Sequence, residues 1–127
     1  MYMEKPIIAV TMGDPAGIGP EIVVKSIADK ATFDIARCIV VGDKKVMAKA
    51  IEIVGADLKI NTVDSPADGD YSYGVLNMID LDNIDMSRFE YGKVNAMCGQ
   101  AAFDYIKKSI EITMDKQADA VATTPIN

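Results

Sequence analysis

The most informative segment of the sequence is Thr11-Met12-Gly13-Asp14-Pro15-Ala16-Gly17-Ile18-Gly19-Pro20-Glu21. The apolar residues 6–10 precede it and a helical pattern over residues 22–28 follows, which predicts a loop between a buried strand and a helix. Pro20 suits the first turn of a helix, so Gly19 is predicted to be the N-cap, with Glu21 at the positive end of the helix dipole. Free N–H groups at such a helix start can bind an anion.

The glycines of this loop match neither of two familiar nucleotide-binding patterns. Gly13, Gly17 and Gly19 lack the G-x-G-x-x-G spacing of dinucleotide-binding folds, and no G-K-[ST] closes a P-loop. From the residues alone, two interpretations stay open. The segment is either a tight strand-to-helix turn that binds nothing, or a loop whose backbone lets a ligand such as phosphate approach closely.

Composition argues against several classes of protein. The 127 residues suffice for one modest domain, and half of them are hydrophobic. The net charge of −6 argues against a nucleic-acid partner, and no apolar run approaches the length of a membrane span. The sequence shows no signal peptide, and its two cysteines form no metal-ligand pattern, so we expect a cytoplasmic protein with reduced thiols. The absence of histidine removes the commonest general base and nitrogen ligand for metals.

The rest of the chain alternates strand patterns with helix patterns. Apolar runs predict strands at residues 37–42, 75–80 and 118–123, and alternating apolar and polar residues predict another at residues 58–63. One-sided apolar stripes predict helices at residues 46–54 and 99–114. Asp43 is predicted to cap the first of these helices, and Gly55 to end it. This alternation predicts an α/β fold with a largely parallel sheet and flanking helices.

Three finer predictions concern helices and connections. Residues 29–34 are predicted to be a polar connection, and Gly99 is predicted to open the longest helix. The buried stripe of that helix is predicted to consist of Ala102, Phe103, Ile106, Ile110 and Met114, which recur at helical spacing.

Four aspartates raise the question of a cation site: Asp64, Asp68, Asp70 and Asp80. They lack the spacing of an EF-hand loop and its terminal glutamate, so a solvated loop is the favoured interpretation. We therefore predict no metal ligands in this chain.

Two loops are expected at one edge of the sheet. Residues 11–19 and residues 123–127 each follow a predicted strand. In parallel sheets, ligands bind outside the carboxyl ends of the strands. The most unusual loops of the sequence therefore lie where a binding site is expected.

Residues 11–22 resemble the opening signature of the PdxA family, the 4-hydroxythreonine-4-phosphate dehydrogenases. Residues 92–102, GKVNAMCGQAA, resemble the family's segment before its long helix, and residues 118–127, ADAVATTPIN, resemble the strand and turn that follow. The three segments occur in family order and span nearly the whole chain. Residues 17–21 are also similar, more distantly, to the GDGIGPE loop of isocitrate and isopropylmalate dehydrogenases, whose two-domain fold the resemblance implies.

The resemblance implies a dehydrogenase with two cofactors. NAD or NADP accepts a hydride from a secondary alcohol, a divalent metal (zinc, magnesium or cobalt) polarises the oxygen, and the resulting 3-keto acid loses carbon dioxide. The family's metal ligands are histidines that lie beyond the position of Asn127. Residues 1–127 are therefore expected to be the N-terminal part of an α/β domain, inactive alone and without a catalytic residue, with the rest of that domain and the second domain outside this chain. A homodimer is also implied.

The resemblance places six residues of this chain near ligands: Gly13, Asp14, Gly17 and Gly19 beside substrate or cofactor, and Thr124 and Asn127 beside the phosphorylated substrate. The alternatives for their side chains stay open. Asp14 could orient a ligand hydroxyl or close an Asx-turn on its own backbone. Thr124 and Asn127 could bind a phosphate or hydroxyl, or cap a turn.

Substrate and even functional class stay open at this point. Members of the family oxidise either 4-phosphooxy-L-threonine or the 4-phosphates of D-threonate and D-erythronate, and the Met-Gly-Asp and Thr-Pro-Ile-Asn versions of the motifs occur in both groups. A function of another class is a non-catalytic anion- or nucleotide-binding module, which the absence of histidine favours. A purely structural interaction domain is the third possibility, but no exposed hydrophobic stripe is evident in the sequence.

Overall fold

The alternating patterns fold into one parallel sheet. The computed structural model describes residues 5–93 and 95–124. In this part of the chain the strands are β1 (Ile7–Thr11), β2 (Arg37–Gly42), β3 (Lys59–Thr62), β4 (Val75–Asp80) and β5 (Ala120–Ala122). Their order in the sheet is β3-β4-β2-β1-β5, and all four pairings are parallel. The predicted α/β fold with a parallel sheet is confirmed.

The helices are α1 (Gly19–Ala28), α2 (Lys30–Ile35), α3 (Lys44–Val54) and α4 (Ala96–Met114). Short 3₁₀ turns at Pro66–Asp68 and Met86–Arg88 lie in the connections after β3 and β4. α1 packs on α3, whereas α4 packs on β1 and β2. Because the chain moves across the sheet in one direction from β1 to β3 and returns from β3 to β5, right-handed crossovers put α1 and α3 on one face and α4 on the other.

The central strands form the core. Ile39, Val40 and Val41 of β2 are fully buried, as the continuous apolar run predicts for a strand covered on both faces. Leu76 and Met78 of β4 are likewise fully buried beside them. Among the helices of the described residues, none is both long and apolar enough to cross a membrane.

The structure corrects two predictions around α1. Gly19 is the first helical residue rather than the N-cap, and Ile18 holds the cap position without a side-chain hydrogen bond. Residues 29–34, predicted to be a polar connection, mostly form α2. The reason is local: the Asp29 carboxylate accepts a hydrogen bond from Ala31 N at 3.0 Å, and Phe33 packs against the core.

The structure also corrects α4. The helix begins at Ala96 rather than Gly99, because the Asn95 carboxamide accepts a hydrogen bond from Cys98 N at 2.8 Å and caps it earlier. The predicted buried stripe is largely wrong: the exposed fractions of Phe103, Ile110 and Met114 are 60%, 50% and 79%. The buried residues are mostly small or polar, namely Cys98, Ala101, Ala102, Tyr105, Ser109 and Ile112. Their many small side chains let the helix lie close to the sheet, whereas the sequence pattern alone selected the largest side chains.

Candidate functional site

The fold brings the two unusual loops together. β5 lies beside β1, so the segments that follow these strands leave the same edge of the sheet as neighbours. The hydroxyl of Thr124, two residues beyond β5, donates a hydrogen bond to the backbone oxygen of Thr11 at 3.0 Å. Of the two residues predicted in this turn, Thr124 therefore lies against the glycine loop. Asn127 lies outside the described residues.

The loop after β1 is held by its own backbone and by Asp14. One carboxylate oxygen of Asp14 accepts a hydrogen bond from Ala16 N at 2.9 Å, and Gly17 N donates to Asp14 O at 3.0 Å. The exposed fraction of Asp14 is only 7%. This geometry is the Asx-turn, one of the two roles that the sequence left open for Asp14. The residues of the loop that reach solvent are Gly17, which is half-buried, and Ile18, which is exposed.

The three glycines predicted in the site occupy different environments. Gly13 has φ +75°, a left-handed conformation that other residues adopt only with strain. A Cβ on Gly19 would lie 2.5 Å from the backbone oxygen of Met12 and 2.9 Å from the hydroxyl of Thr124, so this position excludes a side chain. A Cβ on Gly17 would make only ordinary contacts of 3.6 Å or more with Asp14. Of the three glycines, Gly17 is therefore the one that packing within this chain does not require to be a glycine.

The segment before α4 and the start of that helix support the glycine loop. Gly92 N donates a hydrogen bond to Ala16 O at 2.8 Å. The thiol of Cys98 is 1% exposed; burial raises its pKa, and the nearby Asp14 carboxylate raises it further. A raised pKa keeps the thiol protonated, which argues for a structural role of Cys98 rather than a reactive one. The loop is thus a rigid, largely buried turn with one face open at Gly17 and Ile18.

A second polar centre lies at the ends of β2 and β4. Of its contacts, the sequence predicted only the helix cap at Asp43. Asp43 caps α3 as predicted, accepting hydrogen bonds from Lys45 N at 2.8 Å and Val46 N at 3.2 Å. The carboxylate is fully buried, and its other oxygen accepts a bond from Ile84 N at 3.0 Å. Asp43 therefore joins two connections that are 41 residues apart in the chain.

Lysine and aspartate side chains close this centre on its outer side. Lys45 Nζ lies 3.2 Å from the Asp43 carboxylate and also pairs with Asp82. The hydrogen bond to Asp82 is the main reason that the pKa of Lys45 is raised. Asp80 accepts hydrogen bonds from Lys44 N at 3.0 Å and Asp82 N at 2.9 Å. The connections after β2 and β4 leave for opposite faces of the sheet. Open α/β sheets usually bind ligands at such a point.

Tyr105 of α4 completes the buried polar cluster. Its hydroxyl donates a hydrogen bond to the Asn83 side-chain oxygen at 2.8 Å, and its ring is fully buried. Burial raises the pKa of Tyr105, with a further contribution from the Asp43 carboxylate. The amide nitrogen of Asn83 is buried without a hydrogen-bond partner, so this cluster is not fully satisfied.

A polar groove of about 550 Å³ opens beyond the ends of β3 and β4. It is lined by Lys44, Asn61, Thr62, Val63, Asp64, Asp68 and Asp80. Three of the four aspartates singled out in the sequence line it, and Asp70 does not. Within residues 5–93 and 95–124, no three Cys, Asp or Glu side chains are grouped closely enough to hold a metal ion.

Comparison with known proteins identifies relatives of this chain. The family model described as "Pyridoxal phosphate biosynthetic protein PdxA" matches residues 34–127. A Fusobacterium nucleatum protein named "Putative D-threonate 4-phosphate dehydrogenase" is 55% identical over 120 residues, which are 94% of this chain and 36% of that protein. A Symbiobacterium thermophilum protein of the same name is 46% identical over 97% of this chain and 37% of its own length.

A solved structure shows the same fold within a larger chain. The crystal structure of a 4-hydroxythreonine-4-phosphate dehydrogenase from Burkholderia phymatum matches with a TM-score of 0.93 and 37% identity, over 98% of this chain and 38% of that one. This chain therefore spans between a third and two fifths of the length of the relatives it matches.

Proposed function

Since the chain belongs to the PdxA family, we propose that it forms one wall of the active site of a dehydrogenase for four-carbon hydroxy acid 4-phosphates. The wall consists of the glycine loop, residues 12–19, and the neighbouring turn at Thr124. D-threonate 4-phosphate is the substrate that the similarity favours. The observation behind this choice is the 55% identity, over 94% of this chain, to a relative named for that substrate.

The substrate 4-phosphooxy-L-threonine is the alternative within the same family. The matching family model is described by pyridoxal phosphate biosynthesis, and the B. phymatum structure carries the corresponding enzyme name. The B. phymatum enzyme is 37% identical to this chain, whereas the F. nucleatum relative is 55% identical. That difference is why D-threonate 4-phosphate ranks first.

The geometry supports a role in positioning an anionic substrate. The first turn of α1 has no side-chain cap, so its free N–H groups can donate hydrogen bonds to a phosphate or carboxylate. Gly17 contributes no side chain to the open face of the loop, which it shares with the exposed Ile18. The bonds between Asp14, Ala16 and Gly17 hold this surface rigid before a ligand arrives.

The described residues of this chain do not fit a metal centre. The sequence has no histidine, and the described residues contain no group of three acidic or thiol side chains suited to an ion. The proposal therefore assigns the divalent metal and its ligands, and the transfer of hydride to NAD or NADP, to the part of the relatives' length outside this chain. Substrate oxidation and decarboxylation then belong to the longer protein.

We also propose a cytoplasmic location and a homodimeric assembly for the longer protein. Both cysteines, Cys38 and Cys98, are free thiols, as expected for a protein of the reducing cytoplasm. The resemblance implies a homodimer of the longer protein. The small phosphorylated substrate is the partner that the glycine loop would bind.

A chimera tests the proposed function. In this chimera, the chain replaces the matching segment of the F. nucleatum relative. Formation of reduced nicotinamide is measured with D-threonate 4-phosphate, a divalent metal, and NAD or NADP. We expect a kcat/KM within about tenfold of that of the parent enzyme, because the wall and its ligand contacts are retained. The variant Lys49→Ala, on the exposed side of α3, is the matched control and is expected to leave activity unchanged.

The outcome separates the three functional classes. A folded chimera without activity would refute the dehydrogenase role of this segment. If the 127-residue chain then bound inorganic phosphate saturably, with amide shifts in nuclear magnetic resonance spectra at Gly17 and Gly19, the binding-module alternative would hold. If phosphate moved no amide, an interaction domain would be the remaining class.

A further inference from the structure

The side chain of Thr124 extends the contact between β1 and β5. The register of the two strands ends at Val10 and Ala122. One residue further along β1, the backbone oxygen of Thr11 accepts a hydrogen bond from the Thr124 hydroxyl at 3.0 Å. A side chain therefore holds the turn after β5 to the end of β1 beyond the paired residues of the two strands.

The same hydroxyl lies against the start of α1. A Cβ on Gly19, the first residue of the helix, would lie 2.9 Å from Thr124 Oγ1 and 2.5 Å from Met12 O. The hydroxyl thus occupies space that a side chain at the helix start would need. Because threonine is branched at Cβ, its χ1 angle is restricted and the hydroxyl is held in this place. The end of β1, the start of α1 and the turn after β5 therefore meet at one hydroxyl group.

This contact differs from both roles that the sequence allows for Thr124, a ligand contact and a turn cap. The hydroxyl proton is engaged by the Thr11 backbone oxygen, so it is not donated to a ligand oxygen. A turn cap would bond a backbone group within its own turn, whereas Thr11 lies 113 positions away in the chain. The Thr124 hydroxyl instead joins two separate segments at the edge of the sheet.

We propose that Thr124 is a positioning residue, which holds the free N–H groups at the start of α1 in place without contacting the substrate. The inference rests on the proposed function, in which those N–H groups bind the anionic group of the substrate. Asp14 fixes the inside of the glycine loop through its bond from Ala16 N. Thr124 fixes the two ends of that loop, at β1 and at α1, relative to the turn after β5. A displaced helix start would carry the bound anion away from the reacting groups.

Replacing the hydroxyl by a methyl group of similar size tests the proposal. Thr124→Val and Thr124→Ser are made in the chimera with the F. nucleatum relative. In Thr124→Val, the KM for D-threonate 4-phosphate is expected to rise about tenfold and kcat to change less than about twofold, because a displaced anion site weakens binding of substrate and transition state alike. Thr124→Ser keeps the hydroxyl and is expected to restore a KM close to that of the unmodified chimera.

Thr113→Val is the matched control. The Thr113 hydroxyl donates to Ser109 O at 2.8 Å, so this variant loses a bond of the same kind at another part-buried position. It is expected to leave both KM and kcat unchanged. All variants are assayed well below their melting temperatures, so that a loss of stability alone does not change KM.

Inorganic phosphate gives a second measurement, as a competitive inhibitor of the same chimera. It resembles the phosphate group of the substrate and lacks the carbon chain. If Thr124 positions the anion site, the inhibition constant of phosphate is expected to rise in Thr124→Val by about the same factor as KM. A raised KM with an unchanged inhibition constant would show that the hydroxyl contacts another part of the substrate directly, and would overturn the proposal.

Two further results would also refute the positioning role: an unchanged KM in Thr124→Val, or no recovery in Thr124→Ser. Failure of the proposed function is seen separately, as an unmodified chimera without turnover. In that case, phosphate titration of the 127-residue chain decides. The amide shift at Gly19 is expected to need more phosphate in Thr124→Val than in the unmodified chain. Equal titrations of the two proteins, or no shift in either, would overturn the inference.

Discussion

The connection after β1 and the connections after β2 and β4 leave the same edge of the sheet, but different groups hold them. The first is a turn of glycines and backbone bonds, and it leaves Gly17 and Ile18 open to solvent. The second is organised by the fully buried carboxylate of Asp43, which accepts a hydrogen bond from Ile84 N and pairs with Lys45. One fold thus provides a surface that a ligand can reach and, along the same edge, a polar framework that joins the connections after β2 and β4. Four substitutions probe this division.

Asp43→Ala should have the largest effect. It removes the acceptor of three backbone N–H groups and leaves the buried N–H of Ile84 without a partner. We expect a loss of about 3 kcal/mol in the free energy of unfolding, measured by urea denaturation. Asp29→Ala removes a cap of the same chemistry from α2, but the residue is exposed and holds a single bond to Ala31 N. That control should lose about 1 kcal/mol or less.

If both substitutions cost the same, Asp43 would be an ordinary helix cap and the framework would not exist. Asp43→Asn refines the test, because an amide oxygen still accepts a hydrogen bond while the charge that faces Lys45 is lost. An intermediate loss is expected for this variant.

The contrast between the two regions also explains which features the sequence could predict. The glycine loop was recognisable because its features are local: the glycines, Pro20 and the preceding apolar run lie within a few residues of each other. The capping role of Asp43 was equally local and was predicted. The hydrogen bond from Ile84 N to the Asp43 carboxylate joins residues 41 positions apart and depends on the pairing of β2 with β4. The periodicity of the sequence does not predict which strands pair.

The failure at α4 has a different cause. The predicted stripe followed hydropathy and chose Phe103, Ile110 and Met114, which the structure exposes. Close packing on β1 and β2 selects small side chains instead, such as Ala101 and Ser109. A pattern of small residues at helical spacing was present in the sequence and would have indicated this face.

Gly19→Ala should have the second largest effect. The added methyl would lie 2.5 Å from the Met12 backbone oxygen, so β1 and α1 must separate or Thr124 must move. We expect a loss of about 2 kcal/mol in the free energy of unfolding, because overpacking outweighs the better helix propensity of alanine. Differential scanning calorimetry measures it. A neutral result would mean that the end of β1 is not fixed against α1.

Tyr105→Phe should cost about 1 kcal/mol at neutral pH, because it removes the hydrogen bond to Asn83. Its pH dependence is more specific. The pKa of Tyr105 is raised by burial and by the Asp43 carboxylate, so the folded state keeps a proton that the unfolded state loses above about pH 10. The stability from Tyr105 is therefore complete below that pH and declines above it.

Urea denaturation between about pH 8 and 11 checks this sign. The wild-type chain should lose stability faster than Tyr105→Phe as the pH rises, and the difference between them should shrink. The other tyrosines are common to both proteins and cancel in the comparison. Parallel curves would show that the Tyr105 hydroxyl titrates normally in the folded state, against the buried environment described for it.

Gly17→Ala should have the smallest effect on stability and the most informative effect on function. The added Cβ meets only ordinary contacts of 3.6 Å or more, so the free energy of unfolding should change by less than about 0.5 kcal/mol. The methyl nevertheless lies on the half-open part of the loop, beside the first turn of α1. In the chimera, the KM for D-threonate 4-phosphate should therefore rise several-fold while the melting temperature is unchanged. If KM and melting temperature both stay constant, the open face of the loop does not contact substrate. The two connections at this edge would then differ only in how they are built, because both would be purely structural.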